Sequence, residues 1–221
     1  MDKTLQQLTE NKNIIIVGNS VEILRYKKGD FIDSFDTVVR LGKGIPEDRV
    51  YENIGRKFDI WVTTWLRIKM NKFVPKHTYA LFNESRWNLD YHPPNERIPE
   101  DREFHSMFSL EEYQELRKEC GTKEGWKKAG ERPSNGYVAI KYFLNKCNCK
   151  SITLIGFDFF SKKLPFKAGS DYPSSWHIPM NTAEGAIHAP KEKELVLKLH
   201  EEGKVNLIQL SNLDEEFLKF T

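Results

Sequence analysis

The sequence predicts an α/β fold in which helices flank a mainly parallel sheet, and three observations predict it. Two apolar, β-branched runs at 13–17 and 151–155 each end on a glycine, as buried parallel strands do. Four further apolar runs have strand length: 36–41, 58–63, 78–82 and 205–210. Segments of helical character lie between these runs, an alternation typical of a parallel sheet. The 221 residues suit a single domain, 1–221, of Rossmann-like architecture.

The remaining segments are assigned in chain order. We expect a short helix at 5–12, a helical turn at 21–24 and a loop with apolar anchors at 29–35. In the second half, the apolar spacing predicts a mostly buried helix over 137–146 and another helix over 191–202.

The middle of the chain, residues 83–132, has a different character, with loop signals such as Pro93-Pro94. Ser109 followed by Glu112 is a capping-box pattern that predicts the start of a helix. The segment is charged and rich in Trp and Tyr. We therefore expect a loop-rich insertion that serves as a lid or binds an acceptor.

Composition excludes several classes of protein. Lys plus Arg number 34 and Asp plus Glu number 32, a balance that argues against a dedicated nucleic-acid binder. No run of 18 apolar residues exists, and the polar start lacks the apolar centre of a signal peptide, so we expect a cytoplasmic protein. The three cysteines predict reduced thiols rather than a disulfide framework or a zinc site. Basic residues in 67–76 could face an anionic membrane or acceptor, or form a solvated surface.

The turns after the two glycine-ended strands are the first candidates for a site, because ligands bind beyond the carboxyl ends of parallel strands. Gly18-Asn19-Ser20 follows the first strand, and Gly156-Phe157 follows the second. The Asn19 amide can both donate and accept hydrogen bonds, which suits a nucleotide phosphate or a sugar hydroxyl. An ordinary turn is the alternative, since neither a G-x-G-x-x-G pattern nor a Gly-Lys-Ser/Thr phosphate loop is present.

Pro133-Ser134-Asn135-Gly136 precedes a predicted helix. It is either a plain helix cap or an anion cradle made of the Ser134 hydroxyl and backbone N–H groups. Farther on, His177 and His188 lie in one long loop after the Gly156 strand. Two histidines beyond a strand end are candidates for acid–base catalysis. Metal binding is less favoured, because no Asp-x-Asp or third spaced ligand accompanies them.

These pieces together resemble the sialyltransferases of glycosyltransferase family 29. Residues 16–20 with 29–40 are similar to the long sialyl motif, and residues 133–157 to the short one. Trp176-His177 resembles the third motif, and His188 with Glu192 or Glu194 resembles the very short His-x4-Glu motif. The resemblance covers the sheet core but not residues 66–132. It implies a GT-A-like variant of the Rossmann-like fold.

The resemblance implies a metal-independent, inverting glycosyltransferase that moves a nonulosonic acid, sialic acid first, from a CMP-sugar to an oligosaccharide or glycolipid acceptor. No cofactor is implied, since the CMP-sugar is a co-substrate. His188 would be the general base, and His177 would assist the departing phosphate. The donor would be held by the residues that match the family's motifs: Gly18, Asn19, Ser20, Arg40, Ser134, Asn135, Gly136, Gly156 and Phe157.

Two departures from the family keep alternatives open. The position two residues after Arg40 is Gly42, where the family has Asn, and this keeps a CMP-Kdo or related transferase of lipopolysaccharide or capsule synthesis in view. Glu192 and Glu194 stand four and six residues after His188, not five, which keeps open a nucleotide- or glycan-binding homologue without turnover. The family's secretory members pair a cysteine in the long motif, and its absence here agrees with a cytosolic protein at or near the inner face of a membrane.

Overall fold

The computed structural model describes residues 4–42, 44–64, 72–83, 102–122, 133–157, 159 and 191–210. In these residues seven strands form one sheet: β1 Asn13–Val17, β2 Thr37–Leu41, β3 Ile60–Thr63, β4 Tyr79–Phe82, β5 Phe104–Ser106, β6 Ser151–Ile155 and β7 Asn206–Ile208. Every neighbouring pair is parallel, which confirms the predicted α/β class.

The strand order is β5-β4-β3-β2-β1-β6-β7. Strands β2 to β5 are added one after another on one side of β1, whereas β6 and β7 are added on its other side. The direction of winding therefore reverses between β1 and β6. In open parallel sheets, such a reversal leaves a crevice beyond the carboxyl ends of the two strands.

Six helices accompany the sheet in the described part of the chain: α1 Leu5–Thr9, α2 Gly29–Asp33, α3 Tyr51–Ile54, α4 Leu110–Glu119, α5 Asn135–Lys146 and α6 Glu192–Glu201. Short 3₁₀ turns occupy Val21–Arg25 and Asp48–Val50. Among these described helices, none is long and apolar enough to cross a bilayer.

The strands are apolar on both faces, because helices cover both. Ile14 and Ile16 of β1 pack in the core that α1, α4, α5 and α6 share. Ile15 and Val17 point the other way, toward α2, α3 and the 3₁₀ turns. Successive side chains of a strand alternate between faces, so a run of four buried β-branched residues requires cover on both sides.

The segment 83–132 contributes to this core. Residues 104–106 pair with β4 as an edge strand, and α4 buries Tyr113 and Leu116. Helix α4 begins at the predicted capping box, in which Ser109 Oγ accepts from the Glu112 N–H and Glu112 Oε2 accepts from the Ser109 N–H. These residues therefore form a strand and a helix rather than a loop. Residues 84–101 and 123–132 lie outside the described residues, and the lid role stays a prediction.

Residues 29–35 depart from the prediction, because 29–33 form helix α2 rather than a loop. Gly29 allows this helix to lie against α3: a Cβ at that position would come within 2.1 Å of the Tyr51 carbonyl oxygen. Ile32, on the covered side, is fully buried. The helix thus depends on tertiary packing rather than on its own five residues.

Candidate functional site

The winding reversal brings the two predicted glycine turns into direct contact. The Gly18 N–H donates to the Ile155 carbonyl at 2.8 Å, and the Ser20 N–H donates to the Gly156 carbonyl at 3.1 Å. A Cβ on Gly18 would lie 2.3 Å from the Gly156 oxygen, and Gly156 itself has φ +73°. Both glycines are therefore required by the close approach of the backbones where β1 and β6 end.

Asn19 presents a side-chain acceptor at the carboxyl ends of the strands. Its Nδ2 donates to the Leu41 carbonyl at 3.0 Å, which fixes the carboxamide against the end of β2. Its Oδ1 is buried and has no hydrogen-bond partner within the described residues. Gly44 lies over it, since a Cβ there would be 2.2 Å from Oδ1. A buried acceptor without a partner is costly, and this cost makes Asn19 a candidate contact for a hydrogen-bond donor of a ligand.

Ser20 plays a local structural role at the same turn. It is buried, and its Oγ accepts from the Glu22 N–H at 3.3 Å, which caps the 3₁₀ turn that follows. This bond fixes the direction in which the chain leaves β1.

Phe157 joins the two halves of the predicted site. Its ring lies beneath the first turn of α5, where a Cβ on Gly136 would be 2.8 Å from Cε1. The other side of the ring meets the glycine turn after β1, because a Cβ on Gly18 would be 3.0 Å from Cδ2 of Phe157. The missing side chains of two glycines thus make room for one aromatic ring. Asn135, the first residue of α5, is beside this contact in sequence.

At the amino end of α5, the hydrogen-bond donors of Ser134 engage a carboxyl group of the protein itself. Ser134 Oγ accepts from the Tyr137 N–H at 3.0 Å, as expected for a helix cap. The Ser134 N–H donates to Glu192 Oε2 at 2.8 Å, and the Ser134 hydroxyl donates to Glu192 Oε1. Both donors of Ser134 are therefore engaged by a carboxylate from α6. Ser134 is therefore a helix cap whose donors engage the Glu192 carboxyl group, and its use as a cradle for a ligand anion stays a prediction.

Glu192 is 7% exposed, although it is the first residue of its helix. Burial raises its pKa above the ordinary value, while the two hydrogen bonds from Ser134 oppose that rise. Glu194, the alternative partner for His188, is exposed. Of the two glutamates, Glu192 is the one that reaches the predicted site, a contact that no local sequence signal indicates, since 58 residues separate it from Ser134.

Arg40 is not among the side chains that meet at this edge. Its side chain is fully buried, and it donates to the Ile54 carbonyl at 2.8 Å and to the Lys57 carbonyl at 2.9 Å. Burial lowers its pKa to about 10. The reason is alternation along β2: Leu41 faces α5, so Arg40 faces α3. The geometry assigns Arg40 a part in the packing of α3 rather than in donor binding.

His177 and His188, the two predicted catalytic residues, lie outside the described residues, and their roles stay predictions. Of the remaining predicted residues, the structure brings together Gly18, Asn19, Ser20, Ser134, Gly136, Gly156 and Phe157. No cluster of three or more metal-ligating side chains occurs in the ranges that the structure describes.

The fold is similar to that of solved sialyltransferases. One structure, a mammalian sialyltransferase in complex with Gal-beta-1-3GalNAc-ortho-nitrophenol, matches 92% of this chain and 71% of its own at 18% identity, with a TM-score of 0.58. A second structure of a mammalian sialyltransferase matches 90% of this chain and 69% of its own at 17% identity, with a TM-score of 0.57. No protein-family model matches the chain, and no curated protein matches it. At these identities the likeness establishes the fold.

Proposed function

We propose that this chain is a glycosyltransferase that moves a nonulosonic acid, sialic acid first, from a CMP-sugar to a hydroxyl of a glycan. One observation carries the proposal: segments that resemble the long and short sialyl motifs meet through Phe157 at the winding reversal. They do so in a fold similar to that of mammalian sialyltransferases. The topology and the motifs favour the same position for the site, which supports the proposal.

In this proposal, CMP lies across the ends of β1 and β6. The Asn19 Oδ1 accepts a hydrogen bond from a ribose hydroxyl or from the cytosine amino group, which supplies its missing partner. The first turn of α5, at Asn135 and Gly136, offers backbone N–H groups to the phosphate. Ser134 does not bind the donor directly while Glu192 holds both of its hydrogen-bond donors. It acts by fixing the start of α5.

The chemistry would fall to the two histidines. His188 takes the proton of the acceptor hydroxyl as general base, and His177 stabilises the charge on the departing phosphate. A positioned base contributes about 10²–10⁴-fold, and donors placed where charge develops lower the barrier further. Glu192 supports this assignment because it is anchored at the start of α5 and follows His188 by four residues, a span of at most roughly 14 Å.

The acceptor in this proposal is a glycan with a free hydroxyl, in line with the disaccharide derivative named for the neighbouring structure. Residues 83–132, as the predicted lid, would supply part of its binding surface. Transfer without a metal ion, a location in the cytoplasm and contact of residues 67–76 with an anionic membrane belong to the same proposal.

The test is a panel of CMP-sugars, CMP-sialic acid and CMP-Kdo among them, offered with galactose-ended acceptors in the presence of EDTA. We expect release of CMP and inversion of the anomeric centre with one donor. His188→Ala should abolish transfer while CMP still binds. Equal loss of CMP affinity in that variant would reassign His188 to binding.

A binding experiment separates the proposal from a module without turnover. Asn19→Ala should weaken CMP binding about 10-fold, the value of one hydrogen bond, and Asn206→Ala, an exposed residue of β7, should leave it unchanged. CMP binding without release from any donor would favour the binding module. Absence of CMP binding in the unmodified protein would refute the proposal.

A further inference from the structure

The Glu192 carboxylate places a buried negative charge beside the first turn of α5. It accepts a hydrogen bond from the Ser134 N–H at 2.8 Å and another from the Ser134 hydroxyl. Because the Ser134 oxygen accepts from the Tyr137 N–H, its own hydrogen is directed at the carboxylate. Within the described residues no lysine or arginine pairs with Glu192, and burial raises the pKa of the neighbouring Cys120 thiol to about 12. The charge at this helix start is therefore one that no cation among those residues neutralises.

This charge lies next to the position proposed for the donor phosphate. Asn135 and Gly136 follow Ser134 directly, and the first N–H groups of a helix have no acceptor within that helix. Successive N–H groups at a helix start are roughly 3 Å apart, so a phosphate held by this turn would be about 5–8 Å from the carboxylate. The carboxylate and the phosphate would therefore share one helix end.

Transfer of the sugar changes the charge of that phosphate. In a CMP-sugar the phosphate is a diester and carries a single negative charge. When the bond between the sugar carbon and the phosphate oxygen breaks, its electron pair stays on that oxygen, and the proton of the acceptor hydroxyl goes to the general base. The CMP that results is a phosphate monoester with a charge of about −2 at pH 8. Donor and product therefore differ by one charge at the place nearest to Glu192.

We infer that Glu192 is a specificity residue that discriminates between donor and product by the charge of the phosphate, and so favours release of CMP. The inference rests on the proposed function. Repulsion between the carboxylate and the phosphate doubles when the phosphate gains its second charge. The N–H groups of α5 alone would instead favour the more negative ligand. The same carboxylate opposes the charge that develops in the transition state, so the gain is in release and not in the chemical step.

The size of the effect follows from the separation of the two groups. At an effective dielectric constant of about 20, two unit charges about 7 Å apart repel each other enough to lower an affinity roughly 50-fold. Salt at physiological concentration screens part of this repulsion, since the Debye length is then about 8 Å. We therefore expect Glu192 to weaken binding about 10-fold for each negative charge on the phosphate.

Glu192→Gln removes the charge and keeps the shape, because the amide oxygen still accepts from the Ser134 N–H and the amide nitrogen donates to the Ser134 oxygen. Three probes differ in the charge of the phosphate: cytidine, cytidine 5′-methyl phosphate and CMP. By calorimetry at pH 8, the variant should bind cytidine as the unmodified chain does, the methyl phosphate about 10-fold more tightly and CMP about 100-fold more tightly. Glu201→Gln removes an exposed charge from the same helix and should change none of the three affinities.

The unmodified chain supplies a test that needs no variant. At pH 8 it should bind CMP no more tightly than cytidine 5′-methyl phosphate, and tighter binding of CMP would overturn the inference. An equal gain for cytidine and CMP in Glu192→Gln would overturn it as well, because such a gain comes from a change of shape rather than of charge. Failure of the unmodified chain to bind CMP would refute the proposed function itself, so the two failures are distinguishable.

Discussion

Gly18→Ala tests the contact on which the winding reversal depends. The new Cβ would lie 2.3 Å from the Gly156 carbonyl oxygen and 2.8 Å from its carbon, about 1 Å inside the 3.4 Å of an ordinary contact. Both atoms are backbone, so no side chain can turn away. Gly18 is not among the glycines with positive φ, and the alanine is therefore free of backbone strain. The effect is the clash with the backbone of Gly156, with a smaller one against the Phe157 ring, whose Cδ2 would be 3.0 Å from the new Cβ.

The magnitude follows from what must separate. Moving the strand ends apart weakens the hydrogen bonds from Gly18 to Ile155 and from Ser20 to Gly156, each worth about 1 kcal/mol net. Overpacking of a filled interior adds about 1–3 kcal/mol. We expect Gly18→Ala to lower the free energy of unfolding by about 3 kcal/mol.

Urea denaturation followed by tryptophan fluorescence measures this loss, because Trp61 is fully buried. Gly203→Ala is the control: that glycine has φ +70° and nothing within 4 Å of its missing Cβ. It should lose about 1 kcal/mol from backbone strain alone. If Gly18→Ala loses no more than this control, the two strand ends do not approach as described.

Three further predictions follow from single contacts. Burial raises the pKa of Glu192 above 4.5, so the folded chain binds that proton more tightly than the unfolded chain. The stability of the unmodified protein should therefore fall relative to that of Glu192→Gln as the pH rises through the raised pKa. Urea titrations that give a constant difference between the two proteins from pH 4 to 8 would contradict this. Gly44→Ala should displace the Asn19 carboxamide, whose oxygen would lie 2.2 Å from the new Cβ. Calorimetry should then show CMP binding about 10-fold weaker, with under about 1 kcal/mol of stability lost. Unchanged affinity would remove Asn19 from the site. Ser109→Ala should cost about 1 kcal/mol in urea unfolding, since the capping box of α4 is lost, and a neutral result would mean that α4 does not need its cap.

Six of the seven described strands were predictable, because each is an apolar run that ends near a turn residue. Strand β5 was not: its three residues, Phe104 to Ser106, have neither the alternation nor the continuous apolar character of a strand. It forms at the sheet edge because β4 offers it free backbone groups. Helix α2 was missed for a related reason, since its stability comes from packing against α3.

The candidate site was predictable in its glycines and in Asn19, because the turns after parallel strands are where ligands bind. The bond from Ser134 to Glu192 was not, since it joins residues 58 positions apart. Arg40 was predicted to bind the donor, although the strand pattern around it could have placed it elsewhere. Its neighbour Leu41 belongs to the face that packs on α5, and alternation along β2 was enough to place Arg40 on the other face.

The attachment of α6 to α5 has a consequence for how the chain matures. While the protein is being synthesised, residues 134 and 137 leave the ribosome long before residue 192. Until Glu192 has been synthesised, the start of α5 lacks the carboxylate that accepts its hydrogen bonds, and β6 lacks its outer neighbour β7. A fragment ending before residue 191 should therefore build most of the sheet yet leave the crevice unfinished. Residues 191–210 therefore complete a part of the fold that residues 13–20 begin.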